Sequence, residues 1–326
     1  IAEEIVRLYG YENLVSTLPK VSIKEGQYIG DVKYRKLISA RLRSMGLTEA
    51  RTYTLTSPTM SSTFNYDNKK HLVLPNPMSI EKSVVRTSII PSLLNVYQYN
   101  KARKVNDVFI YEISKTYDAN YEEESKIAIL IKGNYLLNAS NNTRVGADFY
   151  LLKGMIENIL DYLGLKNRYS FVKDSVDDLH PNKCARILLD RKEIGVIGAV
   201  HPSINKDDIY VAELSLNKLM IDIKPLKFKA ASVYPEIVKD VAFVVLKEVN
   251  AEEILDTVRR AGKKLVKSLE IFDVYEGEHV EKGKKSIALH IVYLASDHTL
   301  KEEEITEVHN KILSDLNTKL HAELRA

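Results

Sequence analysis

Three polar side chains on two predicted strands carry the best-defined chemistry in this sequence. In one strand the apolar residues alternate, which turns Ser286 to the opposite face. In the other strand, alternation predicts that Asp273 and Tyr275 point outward and that Phe272 and Val274 lie in a core. A phenol, a carboxylate and a hydroxyl on one uncovered face suit a splayed RNA base, because the ring stacks on the base while the polar groups bond its edge. An ordinary solvated face is the alternative.

Signatures of catalysis are weak by comparison. The chain has no P-loop, G-x-G-x-x-G, H-E-x-x-H or nucleophile-elbow motif. The glycines of segment 195–198 lead into His201-Pro202 with no phosphate-binding Arg, so we expect them to serve tight packing. Arg86 is followed by Thr-Ser rather than by an acidic partner. The single cysteine, Cys184, excludes an internal disulfide and a Cys-based zinc site, which fits a reducing compartment.

Charged residues cluster locally, although the chain as a whole is only mildly basic. The formal net charge is +3 and the pI is about 8.6, which is not the profile of a protein that binds nucleic acid by charge alone. Two basic groups, each of which could be a solvated surface, are Arg259, Arg260, Lys263, Lys264 and Lys267, and Lys282, Lys284 and Lys285. Glu3 and Glu4 lie early in a predicted helix, where the helix dipole favours acidic side chains.

The elements that position these residues indicate two domains. At 326 residues the chain exceeds the size at which one hydrophobic core usually keeps growing. Before residue 226 the pattern predicts mixed α and β structure with a mostly antiparallel sheet. The expected helices cover 1–8, 31–45 and 149–163, and the expected strands cover 51–55, 108–113, 127–132, 185–189 and 193–200.

The last hundred residues have the clearest pattern in the chain. A stretch without periodicity at 224–231 is predicted to be an extended linker. Beyond it the expected strands cover 240–246, 266–275, 286–294 and 322–325, and helices are expected after capping boxes at Asn250/Glu253 and Thr299/Glu302. The order βαββαβ predicts a ferredoxin-like unit with both helices on one sheet face.

The apolar runs and the first residues of the chain bear on its cellular location. No apolar run approaches the roughly 20 residues that cross a bilayer, and the first residues lack the pattern of a signal peptide. We therefore expect a soluble, unexported protein. Because the sequence starts at Ile1 inside a helical pattern, we expect the N-terminus to be cut from a longer chain.

Four segments in order give a specific resemblance. Tyr234-Pro235, the run 239–244, the run 272–277 and the run 283–288 resemble the ferredoxin-like anticodon-binding domain that ends bacterial phenylalanyl-tRNA synthetase β subunits. The resemblance implies that Asp273, Tyr275 and Ser286 hold the first anticodon base. Lys263 and Lys284, one from each basic group, are the expected contacts to the tRNA backbone.

The rest of the chain is similar to the same family. Residues 1–20 resemble the end of its B5 domain, residues 21–226 its core domain, and residues 233–326 its anticodon-binding domain. The expected fold is therefore α+β: a class II synthetase-like antiparallel sheet core with helices and without an active site, followed by the ferredoxin-like βαββαβ domain.

This resemblance also implies partners and cofactors. The family works as a cytoplasmic α2β2 heterotetramer in which the α subunit is catalytic, tRNA(Phe) is the substrate, and the complex uses ATP, phenylalanine and Mg²⁺. Glu3 and Glu4 would bind a Mg²⁺ shared with the α subunit, together with acids just upstream. Those acids are missing from this sequence, so we expect the site to be incomplete.

Two other functions stay open on the sequence alone. The first is a self-sufficient class II ligase, which ATP–pyrophosphate exchange by this chain alone would reveal. The second is a stand-alone RNA-binding or assembly module without a ligase partner. Tight co-purification with a class II partner chain would argue against that module.

The domain boundary gives the first testable prediction. Limited proteolysis should cut first within 224–234, because this Lys- and Pro-containing stretch lacks the periodicity of a packed element. Mass spectrometry of the fragments locates the cut. A first cut inside 240–320 would show that the domain assignment is wrong.

Overall fold

A computed structural model describes residues 1–22, 25–221, 230–278 and 280–325 of the chain. The chain divides into two units, Ile1–Lys224 and Pro225–Ala326. We call them unit 1 and unit 2 and describe each by itself. The linker predicted at 224–231 lies almost wholly outside the described residues.

Unit 1 is a mixed α and β structure. Its helices are α1 (Ala2–Tyr9), α2 (Gly30–Ser44), α3 (Pro58–Ser62), α4 (Ile90–Lys101), α5 (Phe149–Tyr162) and α6 (Leu216–Leu219), with 3-10 turns at Tyr11–Asn13 and Ile80–Lys82. Its strands are β1 (Thr48–Glu49), β2 (Leu55–Thr56), β3 (Val84–Val85), β4 (Val108–Tyr117), β5 (Glu123–Lys132), β6 (Asn134–Asn138), β7 (Thr143–Gly146), β8 (Tyr169–Lys173), β9 (Leu179–Leu189), β10 (Lys192–Val200) and β11 (Tyr210–Ser215).

A seven-stranded sheet forms the centre of unit 1. Its strand order is β1-β4-β5-β11-β10-β9-β8, and every pair is antiparallel except the short parallel pair of β1 with β4. Alternate residues of β5 join two different hydrophobic clusters, one shared with α2 and α5 and the other with α4. Both faces of the sheet are thus covered, which explains the continuous apolar run from Ile127 to Ile131.

Among the described residues of this unit, buried ion pairs join Arg86 to Glu112 and Lys126 to Glu213. Glu213, on β11, accepts hydrogen bonds from Lys126 Nζ (3.0 Å), Ser88 Oγ (2.9 Å) and the backbone N–H of Ile89 (2.6 Å), which ties the start of α4 to the sheet. Burial lowers the pKa of Lys126, but the negative charges of Glu213 and Glu124 outweigh this effect and raise the pKa.

The strand predicted at 51–55 is wrong, since only Leu55–Thr56 is a strand. The backbone N–H and the hydroxyl of Thr52 both donate to the carboxylate of Glu112, at 3.4 and 2.6 Å, so the chain here bonds to a buried side chain rather than to a neighbouring strand. The other strands predicted in unit 1 are confirmed, and most are longer than expected.

Unit 2 has the predicted order βαββαβ. Its elements are β12 (Ile237–Leu246), α7 (Ala251–Gly262), β13 (Val266–Tyr275), β14 (Lys284–Tyr293), α8 (Glu302–Leu320) and β15 (Glu323–Leu324). The strands form an antiparallel sheet in the order β13-β14-β12-β15. Both helices contribute to one core with alternate residues of the sheet. Among the described residues, no helix combines the length and apolar character needed to span a membrane.

The two predicted capping boxes do not form. At the start of α7 the side chains of Asn250 and Glu253 bond each other, at 3.1 Å, and neither caps the backbone. Helix α8 begins after Lys301 rather than after Thr299, because Glu304 accepts the backbone N–H of Lys301 at 3.0 Å and closes the first turn there.

A buried carboxylate generates a stability prediction for unit 1. Glu213→Ala should lower the free energy of unfolding by about 3–5 kcal/mol, because it leaves the Lys126 charge buried without its partner. Glu193→Ala is the matched control, since its pair with Arg186 is partly exposed, Arg186 keeps Asp174 as a second partner, and such a pair is worth about 1 kcal/mol or less. The chain has no Trp, so urea unfolding followed by circular dichroism is the measurement. Equal losses for the two variants would contradict the assignment.

A histidine in unit 2 generates a pH prediction. Burial lowers the pKa of His309, whose Nδ1 lies 2.9 Å from the hydroxyl of the buried Tyr293. Below about pH 6.5 the unfolded chain therefore binds a proton that the folded unit does not, and unit 2 should lose stability as pH falls.

Hydrogen exchange of peptides from α8 and β14, compared between the chain and His309→Gln at pH 7.5 and 5.5, is the measurement. On going from pH 7.5 to pH 5.5, amides of the His309→Gln variant should lose less protection from exchange than those of the unsubstituted chain. The exposed His298 has a raised pKa from its bond to Asp297 and acts in the opposite direction, so His298→Asn is the control. A pH response that His309→Gln leaves unchanged would remove His309 as its cause.

Candidate nucleic-acid interface

One face of the unit 2 sheet is free of helices. Since both α7 and α8 pack on the face that carries Phe243 and Leu289, the side chains at alternate positions lie on the opposite face. None of the described helices packs there, and we call it the open face. Residues directly opposite each other in neighbouring antiparallel strands share a face, so strand register decides which side chains meet on it.

That register brings the three predicted side chains to one end of the open face. Tyr275 of β13 is opposite Ser286 of β14, and Asp273 is opposite Ala288. Ser286 is in turn opposite Val244 of β12. The outward direction predicted for Asp273, Tyr275 and Ser286 is therefore the direction that the structure has.

A β-bulge changes the expected position of Phe272. The register shifts between Ile271, which is opposite Leu289, and Asp273, so Phe272 has no partner residue on β14. The prediction that Phe272 lies in the core is wrong, because the bulge interrupts the alternation on which it depended, and the side chain is 56% exposed. Val274 is opposite Ile287 and so lies on the helix-covered face, as predicted. Its side chain is nevertheless exposed and outside the core, because β13 is the edge strand.

Arg325 lies beside Tyr275 and Ser286 at this end of the open face, and it was not among the predicted site residues. Its backbone N–H donates to Ala242 O at 2.9 Å, which extends the pairing of β15 with β12. Its guanidinium donates to Ser286 Oγ at 3.2 Å and lies 5.7 Å from the centroid of the Tyr275 ring. Ser286 is consequently buried beneath Arg325 rather than exposed. Alternation in the predicted strand 322–325 was the signal that could have identified Arg325.

A glycine next to the site makes room for the tyrosine. A Cβ on Gly277 would come within 2.3 Å of the Tyr275 hydroxyl. Any larger residue at 277 would therefore displace the phenol. This close approach explains why a glycine follows Tyr275 and Glu276 in the motif.

The two basic groups lie at opposite ends of unit 2. Lys284 begins β14 two residues before Ser286, and hydrogen bonds to Glu281 and Glu323 raise its pKa. Lys263 follows α7, before the start of β13, and is therefore roughly 30 Å from Tyr275 by the rise of an extended strand. The structure brings Lys284 close to the predicted triad and does not bring Lys263 there.

The middle of the open face carries more acidic than basic side chains. His290 Nδ1 lies 2.6 Å from a carboxylate oxygen of Asp240, and the ring of Phe272 meets the His290 ring edge to face, with centroids 6.4 Å apart. Glu270 is opposite His290 in the register and is exposed. Carboxylates repel phosphates, so this surface is suited to base edges and ring faces rather than to a nucleic-acid backbone.

The acidic pair in α1 does not make a metal site by itself. Glu3 accepts a hydrogen bond from the Tyr11 hydroxyl, while Glu4 accepts the guanidinium of Arg7 at 2.8 Å. Across the described ranges, no group of three or more His, Cys, Asp or Glu side chains could hold a metal ion. Two exposed carboxylates that already have other partners do not fit the oxygen cage that Mg²⁺ requires.

The polar residues considered for catalysis in unit 1 serve packing. The Arg86 guanidinium is buried and donates to Glu112 at 2.7 Å and to Thr52 Oγ1 at 2.6 Å. The acidic partner that does not follow Arg86 in sequence is thus supplied by β4. A Cβ on Gly195 would lie 2.2 Å from the Glu213 carbonyl oxygen, so close strand packing requires this glycine.

A four-stranded antiparallel sheet with helices on one face and aromatic and polar side chains on the other is an architecture used by single-stranded RNA-binding modules. Comparison with protein families is more specific. Residues 14–216 match the model described as phenylalanyl tRNA synthetase beta chain CLM domain, and residues 232–325 match the ferredoxin-fold anticodon binding domain. The chain belongs to the phenylalanyl-tRNA synthetase β chain family.

Curated relatives agree with this assignment. Phenylalanine–tRNA ligase β subunits of Shouchella clausii (strain KSM-K16) and Bacillus subtilis (strain 168) are 37% and 36% identical to the chain and match 99% and 100% of it. The chain spans 42% of the length of each. Among solved structures, a pyrrolysyl-tRNA synthetase of Desulfitobacterium hafniense aligns with 58% of this chain and 64% of its own at 13% identity, with a TM-score of 0.45. That similarity is too low to support a conclusion about function.

Proposed function

We propose that this chain acts within the β subunit of a phenylalanine–tRNA ligase, where unit 2 holds the anticodon of tRNA(Phe). The observation that carries the proposal is the register of β13 and β14, which places Asp273, Tyr275 and Ser286 on one uncovered face. The family membership supplies the ligand class. The proposed domains are residues 1–20 as the end of a B5 domain, residues 21–226 as a non-catalytic core and residues 233–326 as the anticodon-binding domain.

The proposed site recognises a base in two ways. The Tyr275 ring stacks on the first anticodon base, which every base permits because each has a π face. The Asp273 carboxylate can only accept hydrogen bonds when ionised, so it selects a base edge with N–H donors. Arg325 supplies donors beside it and keeps Ser286 away from water until the base arrives.

The proposed backbone contacts, Lys263 and Lys284, make different contributions. Lys284 already bonds two carboxylates, so a phosphate must compete with Glu281 and Glu323 for it. Lys263 is exposed and distant from Tyr275, so it reaches a separate part of the tRNA. Neither contact distinguishes one base from another.

The proposed partner of unit 1 is the catalytic α subunit, in an α2β2 heterotetramer in the cytoplasm. Obligate interfaces are large and hydrophobic. Consistent with such a partner, large apolar side chains are exposed within residues 21–226, among them Tyr53, Val73, Met78 and Ile80. ATP, phenylalanine and Mg²⁺ are proposed for the complex, and a Mg²⁺ site that includes Glu3 and Glu4 needs further ligands from outside this chain.

Substitutions on the open face test the proposal. Tyr275→Ala should weaken tRNA(Phe) binding by about 1–3 kcal/mol, the usual contribution of one base stacked on an aromatic ring, and Tyr275→Phe should retain most of it. Asp273→Ala should weaken binding only for the tRNA whose first anticodon base it recognises. Dissociation constants measured with tRNAs that carry each of the four first anticodon bases give both results.

Lys263→Ala is the comparison variant. It should weaken all four tRNAs alike, and its effect should shrink at high salt more than that of Tyr275→Ala, because only a phosphate contact releases counterions. Should Asp273→Ala discriminate among the four tRNAs as well as the unsubstituted chain does, and Tyr275→Ala bind all four as tightly, the proposed site is wrong even though the family assignment stands.

A further inference from the structure

We propose that Phe272 is a second stacking platform, which holds a base adjacent to the first anticodon base. This inference rests on the function proposed above and deepens it. The observation behind it is the β-bulge, which releases Phe272 from the alternation of β13. Alternation counted back from Asp273 and Tyr275 would have turned the ring to the helix-covered face, whereas the bulge leaves both Phe272 and Asp273 on the open face.

The position of the ring is fixed by its neighbours on the open face. His290 points to this face, since it is opposite Asp240 on β12 and Glu270 on β13 and bonds Asp240. Phe272 meets His290 edge to face, at a centroid distance of 6.4 Å. An edge-to-face contact occupies at most one face of the phenyl ring, and the side chain is 56% exposed. The cluster of buried apolar residues in unit 2 does not include Phe272.

The spacing of Phe272 and Tyr275 along β13 suits two bases of a splayed strand. Phe272 precedes Tyr275 by three residues on one strand, so their Cα atoms are on the order of 10 Å apart. Four-stranded RNA-binding sheets use two aromatic side chains on the uncovered face to stack two or three bases. A splayed strand that places one base on Tyr275 therefore brings a neighbouring base to Phe272.

The charges around Phe272 set the orientation of the strand. The strand register places Asp240, Glu270 and Asp273 on the same open face as the Phe272 ring. Phosphates are repelled from such a surface, whereas base edges that carry N–H donors are accepted. The bases must face the sheet and the phosphates must face outward. Phe272 gains stacking area in this arrangement, because its exposed ring leaves water when a base covers it.

The test combines Phe272→Ala with tRNA(Phe) that has an abasic nucleotide at the first anticodon position or at either neighbouring position. Phe272→Ala should weaken binding of intact tRNA about 5- to 140-fold, the range expected when one stacked base is lost. With one of the two tRNAs that are abasic at a position next to the first anticodon base, Phe272→Ala should weaken binding no further. Tyr275→Ala should show the same coupling with the first position instead.

Three controls keep the outcomes distinct. Val274→Ala changes an exposed apolar residue of the same strand whose register belongs to the other face, and it should leave binding unchanged. Phe272→Tyr should retain binding, because the ring does the stacking. Phe272→Leu keeps apolar bulk and should still bind weakly, which excludes a purely structural role, and thermal unfolding shows whether each variant is folded.

Each result decides between the two proposals. If Phe272→Ala has no effect, or weakens intact and abasic tRNAs equally, the second platform is wrong. If Tyr275→Ala nevertheless couples to the first position, the proposed function stands without it. If neither variant couples to any position, both proposals fail.

Discussion

The pairing of β13 with β14 is the constraint on which the proposed site depends. Tyr275 meets Ser286 only because these strands keep one register from the bulge to the end of the pair. A shift of one residue would turn Asp273 and Tyr275 toward the helices and bring Val274 to the open face. The site is therefore a property of the sheet, to which Arg325 adds a cover from the last strand.

The two units differ in what they leave available for binding. In unit 1 both sheet faces are covered, and polar groups of its interior such as Glu213 and Arg86 are engaged in buried ion pairs that join helix and loop to sheet. These polar groups therefore stabilise the fold. In unit 2 one sheet face has no helix over it, so polar and aromatic side chains can lie side by side without the desolvation that a core imposes. This contrast supports the proposal that unit 2 is the unit that recognises RNA.

Much of this arrangement could be predicted from the sequence, because it follows from periodicity. The order βαββαβ needs only a period of two for strands and 3.6 for helices, and alternation within 272–275 predicts the outward direction of Asp273 and Tyr275, although the bulge before Asp273 is what brings them to that face. The exposure of Phe272 could not be predicted, since a bulge depends on the partner strand and breaks the alternation. Arg325 was missed for a similar reason, because its contact with Ser286 spans 39 residues of sequence and requires the whole sheet. In unit 1, local propensity favours a strand at 51–55, but Thr52 donates hydrogen bonds to the Glu112 carboxylate instead of pairing with a strand.

The most direct test asks which surface of the chain an anticodon touches. Amide chemical shifts of the isotope-labelled chain can be followed by relaxation-optimised NMR while an RNA hairpin with the tRNA(Phe) anticodon loop is added. We expect the largest shift changes around Tyr275, Ser286 and Arg325 and little change in helices α7 and α8. Changes confined to those helices or to unit 1 would contradict it.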